Sequence, residues 1–125
     1  MTLRRRQARF SAMLGFLLVK AASLKTPVCI LELYRSIETQ RAYVSRGASK
    51  TMKSKHLEGL AVDLAFLDDI EDDGKINYTP DRYKTLGEYW ESLGGRWGGR
   101  FGVKPEDYDT QYGWDCMHFE YQEKL

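Results

Sequence analysis

The stretch that decides the fold is residues 54–67, SKHLEGLAVDLAFL. Its second half, residues 60–67, alternates between larger and smaller side chains in an apolar run, which predicts a strand. Asp63 falls among the smaller residues and therefore on the face away from the larger ones. His56 precedes the strand, and a turn at Gly59 would bring its imidazole toward Asp63. The stretch thus predicts a strand entry at which two polar side chains converge.

The rest of the chain predicts helices and two more strands around that element. Apolar residues recur every three or four positions between Phe10 and Leu24, which favours an amphipathic helix over a signal peptide. Further elements are expected at residues 28–33 (a buried strand), 36–46 (a helix capped by Ser36 and ended by Gly47), from Thr79-Pro80 to Gly94-Gly95 (a helix) and 116–121 (a strand). Helices set around a few strands predict an α+β fold with a small, mainly antiparallel sheet flanked by helices.

The bulk composition limits the class of protein. With 125 residues and 42% hydrophobic content, the chain has room for one domain, which we expect to span residues 1–125. No apolar run is long enough for a membrane span, so we expect no stable membrane insertion, and we expect a monomer. Residues 1–60 carry a net charge of +9 and residues 61–125 a net charge of −8. The halves could neutralise each other in the fold, or the basic half could bind a polyanion; we expect the first, and no nucleic-acid partner.

The two histidines of the chain, His56 and His118, stand in the segments that can carry chemistry. Together with Asp63 they offer two imidazoles and one carboxylate, which leaves the fourth position of a tetrahedral zinc site open for water, as in a catalytic site. Asp115, three residues before His118, could serve as general base toward that water. The same residues could instead be hydrogen-bonded core or surface groups, and the spacing alone leaves both interpretations open.

Three motifs follow one another along the chain. They are Ser54-x-His56-x-x-Gly59-x-Ala61-x-Asp63, Trp97-Gly98-Gly99-x-Phe101 and Asp115-x-x-His118-Phe119-Glu120. Together they resemble the zinc D-alanyl-D-alanine carboxypeptidases of the VanY type. The layout is most similar to the phage endolysins of that group that cleave the L-alanyl-D-glutamate bond. The resemblance implies a fold like that of the hedgehog domains and DD-peptidases, over one zinc peptidase domain.

The resemblance also implies a role for each motif residue. One zinc ion per chain would be held by His56, Asp63 and His118, and Asp115 would be the catalytic base. Arg35 corresponds to a family arginine that steadies the substrate carbonyl or the oxyanion, a role that suits a fixed cation.

Three further residues are candidate substrate contacts. Ser54 lies beside the proposed metal and either contacts substrate or is a simple turn residue. Trp97 and Trp114 are flanked by glycines and stand near the motifs, so we expect them to line the cleft. Trp90 fits the apolar stripe of its predicted helix and is expected in the core.

The activity implied by the resemblance is hydrolysis of the stem peptide of bacterial peptidoglycan. An L-alanyl-D-glutamate endopeptidase, a bacteriolytic phage endolysin, is favoured because Asp115 is the shorter acid that is typical of that branch. The alternatives are a D-alanyl-D-alanine carboxypeptidase and a non-catalytic, zinc-stabilised cell-wall-binding module. An endolysin without a signal peptide would be made in the cytoplasm of the bacterial host and would act on the wall after release.

An acidic segment at residues 68–73 resembles the first part of a calcium-binding loop. Pro80 stands where such a loop has its closing bidentate glutamate. We therefore favour a solvated acidic loop there, with a Ca²⁺ site as the alternative.

Overall fold

The computed structural model describes residues 1–49 and 51–123. Within that part of the chain the α-helices are α1 (Leu3–Ser23), α2 (Ile37–Ser45) and α3 (Lys84–Ser92), and the strands are β1 (Val28–Glu32), β2 (Ala61–Phe66), β3 (Arg96–Trp97) and β4 (His118–Glu120). Short 3-10 helices occupy connections at Lys55–Glu58, Leu67–Asp69, Pro80–Tyr83, Gly98–Arg100 and Pro105–Asp107. This is the α+β architecture that the sequence predicts.

The strands form one antiparallel sheet in the order β1-β2-β4-β3. Strand β2 is central, and Asp63 lies directly opposite His118 of β4. On the other edge of β2, an irregularity between Ile30 and Glu32 of β1 places Glu32 opposite Asp63. Because directly opposed residues share a face of the sheet, the register lines up three polar side chains across three strands.

The core lies between the sheet and helices α1 and α3. Phe10 of α1 meets Trp90 of α3 edge to face, with ring centroids 5.8 Å apart, and Trp90 also contacts Phe119 of β4 at 6.2 Å. All three rings are buried, which contributes about 1.5–3 kcal/mol for each large apolar side chain. The apolar stripe predicted for α1 is confirmed, with Phe10, Leu17 and Ala21 buried and Met13, Leu14 and Leu24 packed against the core.

The helix termini follow local sequence signals in part. Helix α2 begins after Ser36, whose hydroxyl oxygen accepts a hydrogen bond from the backbone N–H of Thr39, as predicted. The helix predicted after Thr79 starts as a 3-10 turn at Pro80–Tyr83 and becomes α-helical only from Lys84.

No helix in the described ranges is both long enough and apolar enough to cross a membrane.

Strand β1 lies at the edge of the sheet, and the prediction of a buried strand is wrong. Ile30 and Leu31 are 48% and 41% exposed. The apolar composition of this segment predicted cover on both faces, but within the described sheet β1 pairs with β2 alone. Part of its apolar surface therefore faces solvent.

Candidate active site

Three side chains from separate elements converge at one end of the sheet. His56 lies on the 3-10 helix Lys55–Glu58, Asp63 on β2 and His118 on β4. The potential ligand atoms of the three all lie within 4.8 Å of one another. The predicted turn at Gly59 is present: its φ of 67° is left-handed, a conformation that favours glycine.

His56 is oriented by the backbone of the segment that follows β1. Its Nδ1 lies 2.8 Å from the carbonyl oxygen of Leu33, and since a carbonyl only accepts, the proton resides on Nδ1. The lone pair of Nε2 then faces Asp63, whose Oδ2 is 3.3 Å away. Nε2 is buried and has no aligned hydrogen-bond partner among residues 1–49 and 51–123. An unpartnered buried nitrogen that is aimed at a carboxylate fits a metal ligand.

His118 lies between two carboxylates. Its Nδ1 is 3.1 Å from Oδ1 of Asp63, and its Nε2 is 2.8 Å from Oε1 of the buried Glu120. Burial alone would lower the pKa of His118, but the hydrogen bonds to Asp63 and Glu120 and the charge of Asp115 raise it to about 9. In the metal-free protein the ring is therefore a cation that donates from both nitrogens. Loss of the Nδ1 proton would turn that nitrogen into a ligand, with Nε2–H still held by Glu120.

Asp63 is held as an anion between the two imidazoles. Burial opposes its ionisation, but His118 and His56 beside it bring the pKa of Asp63 down to about 2. An ionised carboxylate and two imidazoles are a donor set that suits a divalent metal ion. The charge, the spacing and the orphaned Nε2 of His56 all fit a metal at this position.

Asp115 lies beside the three residues without belonging to their group. Its Oδ2 is 3.8 Å from Nδ1 of His118, and its side chain is 41% exposed. Burial, together with the negative charge of Asp63, raises the pKa of Asp115, although the neighbouring histidines oppose this. A carboxylate with a raised pKa at the edge of such a site is suited to accept a proton.

The backbone of Asp115 is fixed by the glycine motif. Its N–H donates to the carbonyl oxygen of Gly98 at 3.3 Å. A Cβ on Gly98 would lie 2.0 Å from the backbone oxygen of Asp115. Only glycine permits this approach, so Gly98 contributes directly to the position of Asp115.

Arg35 and Ser54 lie together in the wall of the same cleft. Nε of Arg35 donates to Glu32 at 2.7 Å, and Nη1 donates to Gln40 at 2.7 Å and to Oγ of Ser54 at 3.3 Å. Ser54 also accepts from the backbone N–H of His56 at 3.2 Å and so caps the 3-10 helix that carries this histidine. Both residues therefore lie in the same cleft as His56, Asp63 and His118, and Ser54 caps the 3-10 turn that carries His56.

The three tryptophans have different environments. Trp114 is 74% exposed and lines the cleft. Trp97 has no exposed surface, and its Nε1 donates to the carbonyl oxygen of Cys116 at 2.7 Å. The expectation that Trp97 lines the cleft is wrong, because strand β3 turns this side chain into the core. Trp90 is buried in the core as predicted.

The cleft has a volume of about 1240 Å³ and includes residues for which no role is predicted from the sequence. Glu120 is one of these, and its position two residues after His118 on a strand is a signal that could have shown the contact. Arg96 and Phe101 also line the cleft, but they reach it through the fold of the segment after α3. Phe101 stands in the glycine motif, but no local pattern indicates the position of Arg96.

Basic side chains form ion pairs with part of the acidic segment at residues 68–73. Arg82 donates from Nη1 to Oδ1 of Asp69 at 2.5 Å and from Nη2 to Oδ1 of Asp68 at 3.0 Å. Lys75 lies 3.9 Å from Asp73. These carboxylates thus make ion pairs within the fold.

Comparison with known proteins supports the resemblance seen in the motifs. A sequence profile of the M15 peptidases described as D-alanyl-D-alanine carboxypeptidase matches residues 47–121. The structure is similar to the L-Ala D-Glu endopeptidase ChiX of Serratia marcescens, with 26% identity, a TM-score of 0.54, and 78% of this chain and 68% of that one covered. It is also similar in fold to a VanY D,D-pentapeptidase from a VanB-type vancomycin resistance cassette, solved with Zn(II), with 21% identity, a TM-score of 0.55, and coverage of 90% and 70%. No curated protein sequence matches the chain significantly.

The profile spans the three motifs. The motif residues that line the one cleft are Ser54, His56, Asp63, Phe101, Asp115, His118 and Glu120. The family predicted from the motifs is therefore confirmed. The chain belongs to the D-alanyl-D-alanine carboxypeptidase family of M15 peptidases and is a peptidase that hydrolyses peptidoglycan.

Proposed function

We propose that the chain is a zinc-dependent L-alanyl-D-glutamate endopeptidase that cuts the stem peptide of peptidoglycan. The observation that carries the proposal is the convergence of His56, Asp63 and His118 within 4.8 Å in the wall of an open cleft, with Asp115 beside them. Two imidazoles and one carboxylate are typical ligands of a catalytic zinc with an open coordination position. The chemistry that zinc supplies in such a site is Lewis-acid activation of a water molecule and of the peptide carbonyl.

The residues of the chain supply the proton transfers and the charge that hydrolysis needs. The Oδ2 atom of Asp115 accepts a proton from the attacking water and returns it to the leaving nitrogen. The guanidinium of Arg35, fixed by Glu32 and Gln40, provides a cation in the cleft wall for the negative charge that develops on the carbonyl oxygen. Glu120 holds the ring of His118 in one orientation through Nε2.

Two observations favour the endopeptidase over the other activities. ChiX, which has 26% identity to this chain, is an L-Ala D-Glu endopeptidase. The walls of the cleft also include the loop at residues 47–49 and Trp114 as well as the metal-binding residues, and its volume of about 1240 Å³ is large enough for peptide on both sides of a scissile bond. A non-catalytic module would require neither Asp115 nor Arg35 in this arrangement. The expected origin from a phage, with synthesis in the host cytoplasm and action on the wall after release, belongs to the same proposal.

A D-alanyl-D-alanine carboxypeptidase is the second candidate, because the matching family profile carries that description. The two activities release different products from the same sacculus. An endopeptidase frees peptides that begin with D-glutamate, whereas the carboxypeptidase frees D-alanine.

The test is mass spectrometry of the fragments that the purified protein releases from sacculi, with and without a chelator and after zinc is restored. We expect D-glutamate-terminated peptides that disappear with the chelator and return with zinc. Release of D-alanine alone would assign the second activity. Intact sacculi under all conditions would refute the proposed function.

A further inference from the structure

An aromatic and cationic shelf lies next to the metal-binding residues, on the side of β3 and β4. The shelf consists of Arg96, Phe101 and Trp114, and all three line the cleft. The ring of Phe101 is 5.6 Å from that of His118 and 5.7 Å from that of Trp114, between centroids. The shelf therefore begins at a metal-binding residue and extends outward along the cleft.

Arg96 is held in place over the aromatic surface while its charge stays accessible. Its guanidinium carbon is 4.5 Å from the centroid of Phe101, and its side chain is 53% exposed. Its Nη1 is 3.8 Å from Oε2 of Glu120, which is longer than a hydrogen bond. A stacked guanidinium is pre-oriented, and its free N–H groups can form the paired hydrogen bonds that a carboxylate accepts.

The other guanidinium in the described cleft wall is not available in this way. Arg35 is only 11% exposed and is already bound by Glu32, Gln40 and Ser54. Arg96 is thus the guanidinium of the described cleft wall whose N–H groups are free for paired hydrogen bonds to a carboxylate, whereas Arg35 presents its fixed charge.

The indole ring of Trp114 is exposed on one face and packs against the backbone at Gly102 on the other. A Cβ on Gly102 would lie 2.5 Å from the indole of Trp114, so the ring packs directly against the backbone there. Gly102 has a φ of 74°, which favours glycine at this position. A large aromatic surface that is 74% exposed and fixed against the backbone next to a cationic group is suited to hold a short peptide.

The chemistry of the stem peptide indicates which group would meet Arg96. In an L-alanyl-D-glutamate bond the glutamate continues the chain through its side-chain carboxyl, so its α-carboxylate is free and adjacent to the scissile amide. In a terminal D-alanyl-D-alanine bond the last residue also has a free α-carboxylate adjacent to the scissile amide. Both substrates therefore present an anion on the residue whose nitrogen leaves.

We infer that Arg96, on the shelf with Phe101 and Trp114, binds the free α-carboxylate of the residue on the leaving-group side of the scissile bond. The inference rests on the proposed function and adds the substrate feature that the site recognises. It also holds for either of the two candidate bonds, because the shared chemistry is the carboxylate.

The test compares pairs of stem peptides that differ only at this carboxylate. One pair has D-glutamate with a free α-carboxylate or the α-carboxamide, and the other has a C-terminal D-alanine as acid or amide. For the pair whose bond is cleaved, we expect wild-type kcat/KM to favour the carboxylate by about tenfold or more, as for a charge-assisted hydrogen bond. Arg96→Gln should bring the ratio close to one.

Lys53→Gln is the matched control, because Lys53 is another exposed cation of the same cleft outside the shelf. It removes the same charge, and we expect the wild-type preference to persist. Melting temperature and zinc content are measured for each variant, so that Arg96→Gln is compared at equal folding and metal loading. An unchanged preference in Arg96→Gln, or an equal loss in Lys53→Gln, would overturn the inference.

A binding measurement separates this inference from the proposed function. Calorimetric titration of the same peptides into zinc-loaded Asp115→Asn protein reports recognition without turnover. If binding to Asp115→Asn shows a carboxylate preference that depends on Arg96 while the zinc-loaded wild-type protein leaves sacculi intact, the inference stands and the hydrolysis is refuted. Hydrolysis with equal use of carboxylate and carboxamide would keep the proposed function and refute the inference.

Discussion

Replacement of Asp115 by asparagine tests the catalytic centre most directly, because it removes a base while leaving the shape of the side chain. A positioned general base contributes about 10²- to 10⁴-fold to rate, so we expect kcat to fall by that factor. Burial raises the pKa of Asp115, which means that its charge opposes folding at neutral pH, above the pKa of the unfolded chain. Asparagine removes that opposition, so the melting temperature should stay constant or rise. A loss of activity with no loss of stability is the expected signature of a functional carboxylate.

The assay follows release of soluble peptide from sacculi, with zinc content measured on the same samples. Asp109→Asn is the control, since Asp109 is exposed and is absent from the described lining of the cleft. It should keep wild-type activity. If Asp115→Asn, with one zinc per chain, retained more than about a tenth of the wild-type kcat, the assignment of Asp115 as base would be wrong.

Three further predictions concern the metal ligands and the packing beneath them. Glu120→Gln should weaken zinc binding about 10- to 100-fold, because a neutral amide supports the ring of His118 less well than a carboxylate does. Competition with a chromophoric chelator at pH 9 measures the zinc affinity, and an unchanged affinity would contradict the prediction. Zinc binding at pH 7.5 should release about one proton, because the pKa of His118 is about 9 without metal and its Nδ1 must lose a proton to bind zinc. Calorimetry in buffers of different ionisation enthalpy counts the released protons. A count of zero would refute the argument. Gly87→Ala should destabilise by about 1–3 kcal/mol and lower the melting temperature by roughly 4–12 °C, since the new Cβ would lie 2.1 Å from the buried ring of Trp97. Gly15→Ala on the exposed face of α1 meets no atom within 4 Å and should be neutral or stabilising, and similar melting temperatures for the two variants would contradict the packing argument.

Much of the fold was accessible from the sequence because its signals are local. The three- and four-residue apolar period of α1, the cap at Ser36 and the turn at Gly59 each act within a few residues, and each is present in the structure. The motif order around His56 and His118 predicted the family without any contact information. These features depend on backbone conformations that neighbouring residues determine.

The cover on each strand and the partners of each ligand depended on the tertiary structure. The apolar composition of β1 predicts a buried strand, and the glycine beside Trp97 predicts a place in the cleft, but neither signal says what packs on each face of a strand.

The contact between Asp63 and His118, 55 positions apart, exists because the register of β2 and β4 places them opposite each other. The shelf of Arg96, Phe101 and Trp114 likewise depends on how the segment between α3 and β4 folds back over the sheet. The sequence by itself determined which chemical groups the protein carries and which local elements hold them. Only the tertiary structure decided their distances, burial and charge states, because these depend on long-range packing that no local pattern encodes.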